Sequence, residues 1–287
     1  IHAKLGWLAD KQLYQNHKIA TQDLFFQASV ERLWKSKKDF SAQLKLGDET
    51  HYIKPEVYAY LENVEEWRNS LYLLSKLQLT NRCALISNLR KEFVTNFKVP
   101  FSPSFNLNYD VVKRENHRLN VGAQFSRNIH VPTLNDKYWG RIDNRDLRVE
   151  KGADMELQLK YLFSKTTETN RINAGWNASA YYNQVTDWIM WLPRGNVWKP
   201  VNLDEVLARG FETDVFFNLS QTRTDYSLRL NYSYNRTEMV AGFANMQPFI
   251  GRQMPLLPKH TLSGSFEGRF LQLSYGLQMK YVGERST

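Results

Sequence analysis

The sequence predicts an all-β protein, specifically part of a transmembrane antiparallel up-and-down β-barrel. Two observations predict this fold class. Apolar and polar residues alternate strictly over several runs of about ten residues, which is the length a tilted strand needs to cross a bilayer, whereas strands of soluble proteins are usually about half as long. The links between these runs alternate between short and long, as expected for short periplasmic turns and long extracellular loops.

The alternation is clearest in the second half of the chain. In Ala153–Phe163 the odd positions are apolar, and Asp, Glu, Gln and Lys lie between them. Thr224–Tyr234 and Leu271–Tyr281 repeat the pattern with Tyr, Leu and Met on one face and polar residues on the other. Because successive strand residues point to opposite faces, each run predicts a strand with one apolar and one polar face.

The links between runs fall into two length classes. Short polar links are expected at Val111–His117, Ser164–Asn170, Ser220–Arg223 and Gly268–Phe270, and long links at Arg127–Lys151, Gln184–Arg209 and Thr237–Lys259. One strand is expected to end near Ser126-Arg127, since Pro132 lacks the N–H that further pairing requires. Long links on one side and short links on the other predict outer loops at one end of a barrel.

The first hundred residues fit the pattern less strictly. Strands are expected at Thr21–Trp34, Phe40–Leu46, Leu71–Leu79, Ala84–Arg90 and Phe101–Tyr109. Glu56–Asn69 suits either strand or helix, and its acidic cluster, Glu62, Glu65 and Glu66, is assigned to a link. Aromatic residues expected near strand ends suit a girdle at headgroup depth, with strand composition as the other explanation: Trp34, Trp176, Tyr181, Tyr182, Trp188, Trp191 and Tyr281.

Composition excludes some classes of protein and leaves others open. The 287 residues carry a formal net charge of +9, which suits nucleic acid, an anionic membrane surface or no specific partner. The basic residues are scattered except for Lys35–Lys38, which we assign to a solvated turn rather than a nucleic-acid site. The single Cys83 excludes an intrachain disulfide framework.

No catalytic constellation is present in the sequence. The six histidines are dispersed without a His or Cys partner at metal-ligand spacing. There is no Gly-rich phosphate loop and no serine in a Gly-x-Ser-x-Gly motif. We therefore expect neither an enzyme nor a bound cofactor or metal.

If the protein binds a ligand, the long links should form the site, because loops on a rigid scaffold commonly carry recognition. Aromatic and methionine side chains there would offer adaptable contacts to a large organic molecule. The other explanation is that they pack loop against loop or lie in the interfacial belt. The candidates are His130, Asn135, Tyr138, Trp139, Trp191, Arg194, Trp198, Phe243, Met246, Phe249 and Met254.

The residues from 101 to 285 also resemble a known family. The resemblance lies in Phe101–Tyr109, Ser126-Arg127, Pro132–Trp139, Asn144, Leu147 and Glu150, and further on in Trp191-Leu-Pro, Trp198-Lys-Pro, Asn202, Gly210-Phe-Glu, Pro255, Pro258-Lys-His and Tyr281–Arg285. In order and spacing these resemble the barrel of TonB-dependent outer-membrane receptors of the cobalamin and siderophore type, in the Bacteroidota style. His130 stands where the family usually has Arg, and Val149 where Pro is common.

The resemblance implies an outer-membrane receptor that imports a scarce nutrient, a metal chelate such as a siderophore or cobalamin, by TonB-coupled active transport. Implied partners are the TonB–ExbB–ExbD complex acting through a plug domain, outer-membrane lipid and lipopolysaccharide, the small-molecule ligand and a surface lipoprotein, with no nucleic acid. Residues 1–287 are expected to form part of a barrel of about 22 strands, without plug or final strand.

Two other functions remain open at this point. A passive outer-membrane channel or an adhesin barrel would need neither plug nor motor. A soluble β-rich carbohydrate-binding module could use Trp188, Trp191 and Trp198 to stack on sugar rings.

Overall fold

The computed structural model describes residues 2–14, 17–35, 39–140, 144–242 and 250–285. They form thirteen strands in a single sheet, in which every strand pairs with its sequence neighbour. All pairings are antiparallel. The prediction of an all-β, up-and-down partial barrel is confirmed.

The strands run through nearly the whole chain, and one short helix, α1 (Leu134–Tyr138), lies between β7 and β8. The strands are β1 (His2–Tyr14), β2 (His17–Lys35), β3 (Ser41–Val57), β4 (Glu66–Gln78), β5 (Cys83–Val94), β6 (Phe101–Lys113), β7 (His117–His130), β8 (Glu150–Thr166), β9 (Asn170–Arg194), β10 (Val197–Gln221), β11 (Thr224–Ala241), β12 (His260–Phe270) and β13 (Leu273–Val282).

The strand bounds divide the connections between two ends of the sheet. The end that we call the turn end carries links 36–40, 79–82, 114–116, 167–169, 222–223 and 271–272. The opposite end, the loop end, carries links 58–65, 95–100, 131–149 and 242–259 and the 195–196 turn. The predicted alternation of link length is thus present, with an exception in β9 and β10.

The predicted long link Gln184–Arg209 is wrong. β9 and β10 pair from Arg194↔Val197 to Asn170↔Gln221, with an irregularity at Asp187 and Asp204. The two strands, of 25 residues each, thus form a two-stranded ribbon, and Gln184–Arg209 is its outer part. Gly195 closes it in the left-handed region, at φ 61°. Pro193 and Pro200 are accommodated near the tip of the ribbon, where a missing N–H is tolerated.

Other expectations also needed correction. β7 continues to His130 instead of ending near Ser126-Arg127, although Pro132 still lies beyond its last pair. β1 was not anticipated, and Glu66 opens β4 instead of lying in a link. Three of the proposed girdle residues, Trp176, Tyr181 and Tyr182, lie in the middle of β9 because that strand is longer than its alternation suggested.

The two faces of the sheet differ in polarity as predicted. In β13 the apolar side chains Leu273, Leu277 and Tyr281 are 59–68% exposed on one face, and their register partners on β12 share that face. The opposite face carries Glu156, Lys160, Asn177, Asp214 and Lys280, which line one cavity of about 570 Å³. An apolar outer face and a polar inner face are what a membrane barrel requires.

The inner face is concave. Ala84 of β5 and Phe216 of β10 line the same cavity of about 460 Å³, although four strands lie between them in the sheet. Among the described residues, no helix has the length and hydrophobicity to cross a membrane.

The buried apolar clusters lie at the loop end and not in the wall. Val94, Val99, Val131 and Val149 form one cluster, which packs the 95–100 link against the 131–149 link. The second joins the ribbon to β11 and the 242–259 link, and consists of Leu203, Val206, Met239 and Met254. The loops are therefore packed structures with cores of their own.

Gly210 provides a test of the tight pairing between β10 and β11. A Cβ at Gly210 would lie 2.0 Å from the Tyr234 carbonyl oxygen and 2.7 Å from the Tyr181 hydroxyl. We expect Gly210→Ala to destabilise the sheet by about 1–3 kcal/mol, because backbone must move to admit the methyl group. Gly276→Ala is the control, since its nearest neighbour is 3.6 Å away. Unfolding in detergent measures both, and equal stability of the two variants would contradict the expectation.

Candidate functional site

The 131–149 link at the loop end contains the helix α1. Thr133 caps the helix, and the exchange is reciprocal: the Asp136 backbone N–H donates to Thr133 Oγ1 at 3.1 Å, and the Thr133 N–H donates to Asp136 Oδ2 at 2.8 Å. This capping box satisfies two N–H groups that a helix start leaves free. A five-residue helix is held in this way in a segment that would otherwise be irregular.

Asp136 also ties α1 to the ribbon. Its Oδ1 accepts a hydrogen bond from Trp191 Nε1 of β9 at 2.9 Å, and its backbone carbonyl accepts one from the Asn144 side chain at 3.3 Å. Asp136 and Asn144 are both buried. Trp191 was predicted as a ligand contact, but its indole N–H donates to Asp136 and so holds the 131–149 link in place.

A buried ion pair joins the same helix to the start of β4. Lys137 Nζ donates to Glu66 Oε2 at 2.5 Å, and the side chains of Lys137 and Glu66 are only 7% and 2% exposed. Arg68 Nε donates to the other Glu66 oxygen at 2.6 Å, and the Phe97 ring lies 4.8 Å from the ammonium. Since removing one partner of a buried pair leaves an uncompensated charge, this contact fixes α1 on the wall.

Aromatic residues of the 58–65 link complete the contact with α1. The Tyr60 hydroxyl donates to Asn135 Oδ1 at 2.5 Å, and the Tyr60 ring lies 5.9 Å from that of Tyr138. The rings of Tyr58 and Trp139 meet edge to face at 6.1 Å. Burial, followed by the charges of Asp136 and Glu66, raises the pKa of Tyr60 to about 12.

The ribbon is fastened to the end of the 131–149 link by a second polar network. Arg148 Nε and Lys151 Nζ donate to the two carboxylate oxygens of Asp187, at 2.6 and 3.3 Å. The buried Asn202 side chain accepts from the Arg148 N–H and donates to the carbonyl oxygens of Arg148 and Asp187. Three connections, 58–65, 131–149 and the ribbon, thus form one interlocked unit, which we call the loop assembly.

The structure brings together four of the predicted site residues in the loop assembly: Asn135, Tyr138, Trp139 and Trp191. Their observed contacts are loop-to-loop contacts, the alternative that the sequence left open. Whether they also touch a ligand stays a prediction.

The other candidates are dispersed. His130 is exposed at the end of β7, opposite Glu150, and Trp198 is 61% exposed near the ribbon tip. Arg194 ends β9. Met254 is buried in the cluster with Leu203 and is unsuited to contact a ligand. The candidates Phe243, Met246 and Phe249 lie outside the described residues.

Sequence reasoning missed the residues that hold the loop assembly together, namely Tyr60, Glu66, Asp136 and Lys137. One signal was available: Thr133-x-x-Asp136 has the spacing of a capping box. Nothing in the sequence indicated that Glu66 and Lys137, 71 positions apart, would pair.

The arrangement suits binding. Among the described residues, no group of three or more His, Cys, Asp or Glu side chains could hold a metal ion. The polar groups of the loop assembly are engaged with one another, and its exposed surface offers aromatic rings and hydrogen-bonding groups.

Elongated antiparallel strands, an apolar outer face, a polar concave inner face and packed loops at one end define the class of outer-membrane barrel proteins. Residues 10–287 match the family model described as TonB dependent receptor-like, beta-barrel. The chain belongs to the TonB-dependent receptor family, whose members are outer-membrane proteins of Gram-negative bacteria.

Similarity to individual proteins agrees with this assignment. Over 89 residues the chain is 32% identical to the vitamin B12 transporter BtuB of Vibrio vulnificus (strain YJ016), covering 30% of this chain and 13% of that protein. The siderophore receptor PirA of Pseudomonas aeruginosa superposes with a TM-score of 0.66 at 15% identity, over 93% of this chain and 47% of PirA. The hemophore receptor HasR of Serratia marcescens superposes with a TM-score of 0.68 at 11% sequence identity, over 92% of this chain and 52% of HasR. The chain thus spans about half the length of these solved receptors or less.

Removing the carboxylate of Glu66 tests the buried ion pair. Glu66→Gln keeps the shape of the side chain but leaves the Lys137 ammonium without its counter-charge, and we expect a loss of about 3–5 kcal/mol in unfolding free energy. Glu65→Gln is the matched control, because the Glu65–Lys54 pair is half exposed. We expect no measurable change for it. Thermal unfolding of the purified protein distinguishes them, and similar midpoints would mean that the pair is dispensable.

The raised pKa of Tyr60 predicts an alkaline loss of stability. Because the folded state holds the proton more tightly than the unfolded state, this contribution is complete below about pH 10 and is lost as the pH rises towards the folded pKa of about 12. In Tyr60→Phe the unfolding temperature should be lower at pH 8, since the bond to Asn135 is lost, and should fall less steeply between pH 10 and 12. Parallel curves for the two proteins would contradict this.

Proposed function

We propose that this chain is part of an outer-membrane receptor that imports a scarce nutrient by TonB-coupled active transport. The observation that carries the proposal is the loop assembly: three connections at one end of a polar-lined barrel wall are locked together by a capped helix and a buried ion pair. A passive pore has no need of such a structure, whereas a receptor needs a pre-ordered surface to bind a dilute ligand.

The proposed ligand is a metal chelate or cobalamin. Support comes from the similarity to a vitamin B12 transporter and from the folds of receptors for siderophores, for ferric enterobactin and for a heme-carrying hemophore. The exposed Trp198 near the ribbon tip and the exposed His130 at the end of β7 are proposed to contact it. Arg194, Phe243 and Met246 remain candidates on the sequence alone.

The proposed partners follow from this mechanism. A plug domain inside the barrel would be pulled by the TonB–ExbB–ExbD complex, and the outer face would contact outer-membrane lipid and lipopolysaccharide. A surface lipoprotein is a further proposed partner at the loop end. The relatives are receptors and transporters rather than enzymes, and the family assignment favours uptake over a soluble carbohydrate-binding module.

Growth under limitation tests the proposal. A deletion strain should grow poorly when cobalamin, haem or one ferric siderophore is the limiting nutrient, and the full-length gene should restore growth only when TonB is present. Normal growth of the deletion strain on all of these would remove the claim of specific uptake. Rescue without TonB would instead favour a passive channel or an adhesin.

Trp198 tests the loop end as the capture surface. We expect Trp198→Ala in the full-length protein to weaken ligand binding by roughly tenfold, since a well-packed aromatic contact contributes on the order of 1–2 kcal/mol. Trp7→Ala is the control: Trp7 is 64% exposed, comparable with 61% for Trp198, but lies in β1 of the wall. Equal binding by both variants would place the capture surface elsewhere.

A further inference from the structure

The turn end of the sheet presents cations that have no partner within the protein. Arg82, Arg114, Lys165 and Arg223 are all exposed and lie in or beside four different turns. Within the described part of the chain, none of these four side chains has a hydrogen bond or ion pair. The four turns lie side by side in the sheet order, so the cations are spread along a rim.

The position of Lys165 relates this rim to the apolar outer face. Lys165 pairs with Ile172 and lies two residues along β8 from Phe163, on the same face of the sheet. Phe163 pairs with Ala174 and stands opposite His117. The rings of Phe163 and His117 are 5.0 Å apart. Aromatic rings of barrels sit at headgroup depth, and the Lys stem can extend past them to place its ammonium among the headgroups.

Cations at the loop end are paired with carboxylates more often than those of the turn-end rim. Most of those near the loop assembly and the ribbon are paired with a carboxylate: Lys54, Arg68, Lys137, Arg145, Arg148, Lys151, Arg209 and Arg236. Lys98, Lys199, Arg252 and Lys259 also lie at the loop end without an ion pair within the described residues, so the two ends differ in the share of their cations that is paired.

Carboxylates at the turn end leave these four cations unpaired. Asp110, near the end of β6, is occupied by Arg118. Glu115 and Glu168 are exposed on the same turns, and neither forms an ion pair within the described residues. Asp225 is occupied by Arg269 and by the Ser220 hydroxyl. An excess of unpaired positive charge is left at this rim, which accounts for part of the net charge of +9.

We propose that the turn-end rim binds the anionic headgroups of phospholipids in the periplasmic leaflet, with Arg82, Arg114, Lys165 and Arg223 as the contacting cations. Charge complementarity carries the choice of occupant, because each Lys or Arg near an anionic membrane surface contributes favourably to the attraction. The inference rests on the proposed outer-membrane placement, with the short turns in the periplasm.

The test uses the full-length protein purified in detergent and titrated with phosphatidylglycerol or phosphatidylethanolamine, with bound lipids counted by native mass spectrometry. The wild type should retain phosphatidylglycerol preferentially. The variant R82Q/R114Q/K165Q/R223Q should lose this preference, at about fivefold weaker retention for each charge removed. Binding of phosphatidylethanolamine should not change.

The matched control removes four cations from the loop end. K98Q/K199Q/R252Q/K259Q changes the net charge equally, and none of these side chains is ion-paired within the described residues. It should retain phosphatidylglycerol like the wild type. Equal loss in both variants would show a non-specific charge effect and overturn the proposal. Should the quadruple variant R82Q/R114Q/K165Q/R223Q fail to assemble, the single substitution Lys165→Gln should weaken retention of phosphatidylglycerol about fivefold.

Two further outcomes are distinguishable. If the protein is absent from the outer-membrane fraction, the proposed function fails before the lipid question arises. If the protein is present there and the fourfold variant loses uptake while retaining phosphatidylglycerol, the cations serve a periplasmic protein and the lipid proposal is overturned.

Discussion

Every backbone N–H and C=O group of a membrane-spanning strand must be paired with a neighbouring strand, because hydrocarbon offers no other hydrogen-bond partner. In this protein the requirement is met by an unbroken sequential order of thirteen strands, each paired over most of its length. The same ladder fixes which residues face outward, since a shift of one residue would exchange the apolar and polar faces. Gly210 shows how closely the strands pack: its missing side chain leaves room for the Tyr234 carbonyl and the Tyr181 hydroxyl.

The loop end adds a second kind of stabilisation to this wall. Its links bury small apolar clusters and a charged pair, which makes them extensions of the sheet instead of flexible connections. Lys137 and Glu66 occupy the centre of this arrangement, and the aromatic residues around them are held at fixed positions. A receptor surface built in this way binds without first having to order its loops, which lowers the entropic cost of binding.

The pairing of charged side chains differs between the loop assembly and the turn-end rim. Carboxylates accompany the cations of the loop assembly, where Asp187 alone binds both Arg148 and Lys151. At the turn end, Arg82 and Arg223 remain unpaired within the described residues. The proposed capture of ligand at the loop end and the proposed binding of anionic headgroups at the rim are compatible uses of one barrel wall.

The sequence by itself determined the fold class, because a two-residue period extending over about ten residues already specifies a strand with one apolar and one polar face. It also determined that Pro132 follows the last pair of β7 and that Tyr138 and Trp139 belong to an outer link. Only the tertiary structure decided the rest. The ribbon of β9 and β10 was missed because its outer part, Trp188–Leu192, is a continuous apolar run without a two-residue alternation. Several of these side chains pack against the cluster of Leu203 and Val206, a contact that only the tertiary structure reveals. The contact between Glu66 and Lys137 joins residues far apart in the chain, and a pattern of near neighbours cannot reveal it.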